Sequence, residues 1–242
     1  MLVLMTDFGV AGPYVGQMKA VLFREAPGTP VVELFSDAPR CNPRASAYLL
    51  AAYAEDFAPG TVFLAVVDPG VGTDARRPLV MEADGRWFVG PDNGLFAIVA
   101  RRAAACRCWE INWRPSRLSA SFHGRDLFAP VAAMLARGEE PPGLLCACSN
   151  FEWPDDLAEV VYVDSFGNAM TGLRADLIAR DAVLVVAGHE LRYATTFGVV
   201  GVGDAFWFEN ANGLVELAVN QASAAERLGV TIGTPVHVQA LS

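Results

Sequence analysis

The sequence predicts an α/β N-terminal domain with a mainly parallel sheet over residues 1–150, followed by a smaller all-β, barrel-like C-terminal domain over residues 156–242. Three observations predict it. Through about residue 140, short β-branched apolar runs alternate with stretches of helical spacing, the pattern of strands alternating with helices. Glu139-Glu140-Pro141-Pro142-Gly143 then interrupts that pattern. From Val160 onward strand-sized pieces dominate, cut apart by Gly, Asn and Asp.

Leu2 to Met5 is the first strand. Tyr14 to Ala26 reads as a helix because Val15, Met18, Val21 and Leu22 recur at helical spacing, Pro13 suits a first-turn position and Pro27-Gly28 closes it. Val31 to Phe35 is the second strand, and Arg44 to Phe57, after Asn42-Pro43, the second helix. Val62 to Val67 is a continuous apolar run, as expected of a strand buried on both faces. That βαβαβ order implies parallel pairing. Leu79 to Glu82 and Trp87 to Val89 flank Asp84-Gly85, a hairpin signal, and Leu95 to Arg102 and Leu127 to Arg137 read as helices. The second domain is predicted to hold strands at Val160 to Asp164, Ala182 to Val186, Glu190 to Tyr193, Ala205 to Glu209, Val215 to Val219 and Val236 to Ala240. One short helix, Ala222 to Leu228, ends at Gly229.

A chain of 242 residues with 53% hydrophobic residues can fill a sizeable core, which excludes disorder. With 18 Lys+Arg against 27 Asp+Glu the net charge is −9, the wrong sign for wrapping a phosphate backbone, so no nucleic-acid partner is expected. The longest apolar stretches reach about half of the roughly 20 residues that a membrane span requires. The start, Met-Leu-Val-Leu-Met-Thr-Asp, lacks the basic region of a signal peptide. A cytoplasmic protein with no membrane partner is therefore expected. Five cysteines include two C-x-C pairs, Cys106/Cys108 and Cys146/Cys148, each too tightly spaced for an ordinary disulfide within the pair. Four thiolates could hold zinc, but structural sites usually show C-x2-C spacing, so buried free thiols and no metal are expected.

Four polar, Gly-containing segments sit at element junctions of the first domain. Thr6-Asp7-Phe8-Gly9 follows the first strand, and Val67-Asp68-Pro69-Gly70-Val71-Gly72-Thr73 follows the buried third one. Both place a carboxylate where open α/β sheets bind ligands, although a turn-capping Asp and a plain β-turn would explain them structurally. The second loop is neither a dinucleotide fingerprint nor a Walker loop. Pro91-Asp92-Asn93-Gly94 reads as a turn and helix cap. Ser121-Phe122-His123-Gly124-Arg125-Asp126 puts His, Arg and Asp at a helix start, where a local His–Asp pair is the bland alternative. His189 and His237 read as ordinary residues. Together the four loops point to one crevice.

These segments, with Arg76-Arg77 after the second loop, closely resemble the S-adenosylmethionine (SAM) hydroxide adenosyltransferases, relatives of the SAM-dependent fluorinating and chlorinating enzymes. Asp164-Ser165-Phe166-Gly167-Asn168 and Ser223-Ala224-Ala225-Glu226-Arg227-Leu228 extend the likeness almost to the end of the chain. The resemblance implies hydrolysis of SAM to adenosine and L-methionine by attack at the ribose 5′ carbon, with no cofactor beyond the substrate. It implies a catalytic set of Asp68, Arg76 and His123, in which Arg76 stabilises developing hydroxide while Asp68 and His123 orient water and accept its proton. It also implies Asp7 on the ribose hydroxyls, Asp164 on the methionine ammonium, Asn168 on the adenine edge, Phe197 stacked on the ring, and Ser223 and Glu226 in the second-domain wall. Residues 1–150 would then be the catalytic domain and 156–242 the adenine-binding one, with sites between subunits of a homotrimer. The loop after Gly72 is one residue longer than the family's usual form, so the motif leaves Arg76 and Arg77 as competing choices, of which Arg76 is preferred. A halogenase, or a SAM- or adenosine-binding regulatory protein with little turnover, is the alternative. Against the halogenase stand the acid at Asp68 and the imidazole at His123, where the halogenating relatives carry an aromatic residue and no histidine.

Overall fold

In the computed structural model, which describes residues 1–73 and 76–239, the first unit is built on seven strands. They are Leu2–Thr6 (β1), Val31–Phe35 (β2), Val62–Val66 (β3), Pro78–Ala83 (β4), Arg86–Pro91 (β5), Cys106–Ile111 (β6) and Gly143–Cys146 (β7), in the order β2-β1-β3-β5-β4-β6-β7. The pairs β2-β1, β1-β3 and β3-β5 are parallel, whereas β5-β4, β4-β6 and β6-β7 are antiparallel. The sheet is thus mixed, which corrects the expectation of a mainly parallel one. The reason is local: Asp84 (φ 48°) and Gly85 (φ 77°) make the tight hairpin that turns β5 back along β4, and β6 and β7 then add to β4 antiparallel.

Helices Tyr14–Glu25 (α1) and Ala129–Ala136 (α4) cover one face. Leu2, Leu4, Leu64 and Val89 form a single core there with Met18, Leu22, Val131 and Leu135. Each such buried side chain contributes about 1.5–3 kcal/mol relative to exposure. On β3 and β5, Phe63 and Phe88 alternate with these residues and stack at 5.0 Å. Helix Pro43–Ala54 (α2) starts on Asn42, whose Oδ1 accepts from the Ala45 amide at 3.0 Å, with Pro43 at the first helical position. Helix Ala97–Arg102 (α3) is shorter than the expected Leu95 to Arg102.

Strands β6 and β7 also overturn the expectation of free thiols at Cys108 and Cys148. Cys108 lies opposite Cys146 in the ladder, and Cys148, two residues on, sits with its Cα 5.4 Å from that of Cys108, forming a disulfide. Cys106 and Cys146 remain free and partly buried, and Cys41 is free and exposed.

The chain divides into two compact units, Met1–Glu152 and Trp153–Ser242. The second holds strands Leu157–Val163 (β8), Ala169–Arg174 (β9), Val183–Val186 (β10), His189–Tyr193 (β11), Ala205–Glu209 (β12), Leu214–Val219 (β13) and Val236–Gln239 (β14). Their order is β14-β10-β11-β12-β13-β9-β8. A bridge between Glu159 and Pro235, with Val160 N–H donating to the Thr234 carbonyl at 2.9 Å, brings the two edges together, so the sheet nearly closes into a barrel. Trp207 is fully buried inside, its indole N–H donating to the Ala182 carbonyl at 3.2 Å. Ser223 caps a short helix, Ala224–Leu228 (α5), which Gly229 ends in the left-handed conformation. Ala240, assigned from sequence to the last strand, and Asp74 and Ala75 of the loop before Arg76 lie outside the described residues. Among the described residues no helix is long and apolar enough to cross a membrane.

Candidate active site

Most of the residues singled out in the sequence line two cavities, one in each unit. The first, of about 480 Å³, opens at the carboxyl ends of β1 and β3. Asp7 follows β1 directly and Asp68 stands two residues beyond β3. Since these strands are adjacent and parallel, with Thr6 opposite Val66, the two carboxylates emerge at the same edge. Asp7 Oδ2 accepts the Cys41 amide at 2.8 Å. Cys41 supplies it from a left-handed backbone (φ 53°), a conformation that a non-glycine residue adopts only at some cost. Burial pushes the Asp7 carboxyl above its ordinary 3.8, against the pull of that amide.

Asp68, Arg76 and His123 touch one another. Arg76 Nε donates to Asp68 Oδ1 at 3.1 Å, and Nη2 donates to Asp68 Oδ2. The same Nη2 lies 3.2 Å from His123 Nδ1. The side chains of Arg76 and Asp68 are 6% and 4% exposed, so this ion pair is buried. The Gly70 amide supports Asp68 Oδ1 at 3.2 Å, and the Arg76 guanidinium lies 5.9 Å from the Phe128 ring centroid. Gly72 (φ +79°) lets the loop lie against the segment leading to His123, since a Cβ there would stand 2.6 Å from the Ala120 carbonyl oxygen. Burial, and next the Arg76 guanidinium, hold the His123 imidazole below its ordinary 6.5.

His123 enters the helix through one π turn, Gly124–Phe128, before α4 begins. Asp126 does not pair with His123. It accepts from the Ser119 amide at 2.8 Å and from Arg125 at 2.6 and 2.9 Å, closing the loop that carries the histidine. Arg77 is held apart from Arg76: its guanidinium donates to Asp92 Oδ2 at 3.0 and 2.7 Å and to Ser149 Oγ at 3.0 Å. The two arginines that the motif left in competition thus have different partners, Arg76 on Asp68 and Arg77 on Asp92. Asp92 and Asn93 do not cap α3. Asn93 Nδ2 donates to the Val67 carbonyl at 2.9 Å, bracing the backbone just before Asp68. Sequence reasoning missed the aromatic wall of Phe8, Tyr14 and Phe122, whose ring centroids lie 5.4 to 5.9 Å apart. Its only signal was that each falls in or beside a flagged loop.

The second cavity, about 600 Å³, is lined by Asp164, Phe166, Asn168, Phe197 and Ser223 among others. Asp164 is held by its own turn: Oδ1 accepts from the Phe166 and Asn168 amides at 2.9 and 2.8 Å, and Oδ2 from Asn168 Nδ2 at 3.2 Å. Gly167 (φ +85°) packs so closely on Ser223 that a Cβ would collide with it. Ser223 Oγ accepts from the Glu226 amide at 3.2 Å. Phe197 is propped edge-on by Phe206 at 5.1 Å. Phe166, which sequence reasoning did not assign, is 80% exposed on the cavity wall. Glu226 is exposed in the first turn of α5 and does not line this cavity, and His189 and His237 are surface residues.

Residues 2–144 match the family model described as the SAM hydroxide adenosyltransferase N-terminal domain, and residues 158–237 match its C-terminal domain. A protein of Thermus thermophilus named (R)-S-adenosyl-L-methionine hydrolase is 39% identical, with 97% of each chain covered. One of the same name from Salinispora arenicola is 38% identical over 97% of this chain and 96% of its own. The crystal structure of an uncharacterised conserved protein from Thermotoga maritima superposes with a TM-score of 0.90 at 32% identity, covering 99% of this chain and 100% of the other.

Proposed function

The chain belongs to the SAM hydroxide adenosyltransferase family, and we infer that it is an enzyme that hydrolyses S-adenosyl-L-methionine to adenosine and L-methionine. The observation that carries this reading in chemical terms is the buried Asp68–Arg76–His123 contact beside Asp7. In the reaction, the oxygen of water bonds to C5′ as the C5′–S bond breaks. The electron pair goes to sulfur, so methionine departs as a neutral thioether and no cofactor is called for. The attacking water must be placed about 3–3.5 Å from the carbon and must lose one proton.

The geometry divides the work. A guanidinium only donates, so His123 Nδ1 faces Arg76 with its lone pair, and the proton of the neutral ring resides on Nε2. His123 therefore orients water by donating to it, and Asp68 is the proton acceptor. This narrows the sequence reading, in which both residues accept. A weak carboxylate base suffices, because water bonded to carbon is a strong acid. Arg76 holds Asp68 and His123 in register and balances the carboxylate charge. The carboxylate also disfavours a halide at the same spot.

We assign Asp7 to the ribose diol, since each carboxylate oxygen keeps acceptor capacity beyond the Cys41 amide. Asp164 takes the ammonium, Asn168 the adenine edge and Phe197 the face of the ring, with Ser223 in the wall and Glu226 at the periphery. The first unit is then a catalytic α/β domain and the second an adenine-binding one. Both sets must meet one substrate, for which we propose a homotrimer whose neighbouring copies share each site. The compartment we propose is the cytoplasm, where SAM is made and used, and the charge of −9 speaks against nucleic acid as a partner. Incubating the protein with SAM and following adenosine and methionine by chromatography tests the activity. Adenosine no faster than the spontaneous background rejects it, and 5′-chloro-5′-deoxyadenosine on adding chloride would favour the halogenase.

A further inference from the structure

Cys106 and Cys108 lie two apart on β6, so their side chains share one face of the sheet, and Cys148 reaches the same place from the segment after β7. The three Sγ atoms all lie within 4.8 Å of one another, and Cys106 Sγ is 3.3 Å from Cys148 Sγ. They form a compact triangle. Three thiolates about 2.3 Å from a tetrahedral Zn²⁺ stand roughly 3.8 Å from one another; Cys106 and Cys148 are already at 3.3 Å, and Cys108 and Cys148 need only move apart once their bond is broken.

We propose that, with the Cys108–Cys148 bond reduced, Cys106, Cys108 and Cys148 form a trithiolate site for a soft divalent cation of the zinc type. Reduction takes two electrons from a dithiol, which becomes a disulfide while Cys108 and Cys148 become thiols. Binding then forms three metal–sulfur bonds and releases three protons, leaving a fourth position for water. Cys108 is 1% exposed, and the Asp84 and Glu82 carboxylates stand near enough to Cys106 to act on its thiol. The metal binds in competition with the three thiol protons and leaves the trithiolate complex with one net negative charge. It would take over from the disulfide as the clamp between β6 and the segment carrying Ser149, whose hydroxyl donates to Asp92 at 2.7 Å. The site stands whether or not the chain hydrolyses SAM.

The test uses the full chain, reduced anaerobically with a phosphine, desalted and titrated with Cd²⁺ while the ultraviolet thiolate-to-metal band is followed. The band is expected to saturate at one Cd²⁺ per chain, with a rise in thermal midpoint. Cys106→Ser, which leaves the disulfide pair intact, should weaken binding at least tenfold, whereas Cys41→Ser, at the exposed cysteine, should not. Thermal melts of the metal-free variants check that each is folded. No band in the reduced protein overturns the proposal. So does a band undiminished in Cys106→Ser, or one equally strong with the disulfide intact.

Discussion

The two cavities hold their carboxylates by opposite means. Asp68 in the first unit is fixed by Arg76, eight residues away, which is in turn shared with His123, 47 residues further on, and the pair is buried. Asp164 in the second unit is fixed within five residues by two amides and the Asn168 side chain of its own turn. The first arrangement exists only when the sheet has assembled, and it couples its members. The second is a local turn whose members can be changed one at a time. On the proposed roles, chemistry that needs three groups in fixed relation falls to the coupled set, and recognition is left to the local one.

The strongest way to break this contrast is Asp68→Ala. It should lower kcat by about 10³-fold, in the range of a lost general base, and destabilise the fold by about 3–5 kcal/mol because Arg76 is left buried without its partner. Steady-state kinetics and denaturant unfolding read the two effects, and a stable, inactive variant would show that the ion pair is not coupled to the fold. His123→Ala comes next, at about 10²-fold in kcat, with a smaller loss of stability since the Asp68–Arg76 pair survives.

The pH profile sharpens the same point. The folded His123 imidazole is held below 6.5 while the unfolded one is not, so the unfolded chain takes up the proton first as pH falls. Activity and this residue's contribution to stability should therefore be flat above pH 6.5 and decline as pH falls through the lower folded value. In His123→Ala the stability decline from this source should vanish. Asp164→Asn should act mainly on KM, raising it roughly tenfold with kcat changed less, as for removal of uniform binding. Glu226→Ala, at an exposed residue outside the cavity, should leave kcat/KM within about twofold.

Much of the parallel half of the first sheet was legible because Leu2 to Met5, Val31 to Phe35 and Val62 to Val67 are apolar runs set between segments of helical spacing. Antiparallel strands β6 and β7 were not. Cys106-Arg107-Cys108-Trp109-Glu110-Ile111 has two charged residues without a regular apolar period, and β7 is only four residues long, directly after a double proline. Missing that pair also hid the disulfide, which bridges residues 40 apart only because β6 and β7 are neighbours. At the site, motif position was enough to flag Asp7, Asp68 and His123. It could not separate Arg76 from Arg77, since which guanidinium reaches Asp68 and which Asp92 depends on how the chain leaves the loop. Nor could it tell that Glu226, which shares a motif with Ser223, is exposed and does not line the cavity that Ser223 lines.

The π turn from Gly124 to Phe128 amounts to one residue more than an α-helix would accommodate there. Deleting a single residue within that turn would let the segment wind as ordinary α-helix and carry His123 about 100° around the axis, away from Arg76. The histidine's aim is thus recorded in the chain's length as well as in its identity. A relative that keeps every motif letter but lacks this insertion would carry the residues of the triad without their meeting, so gaps at this point in an alignment are as diagnostic as substitutions.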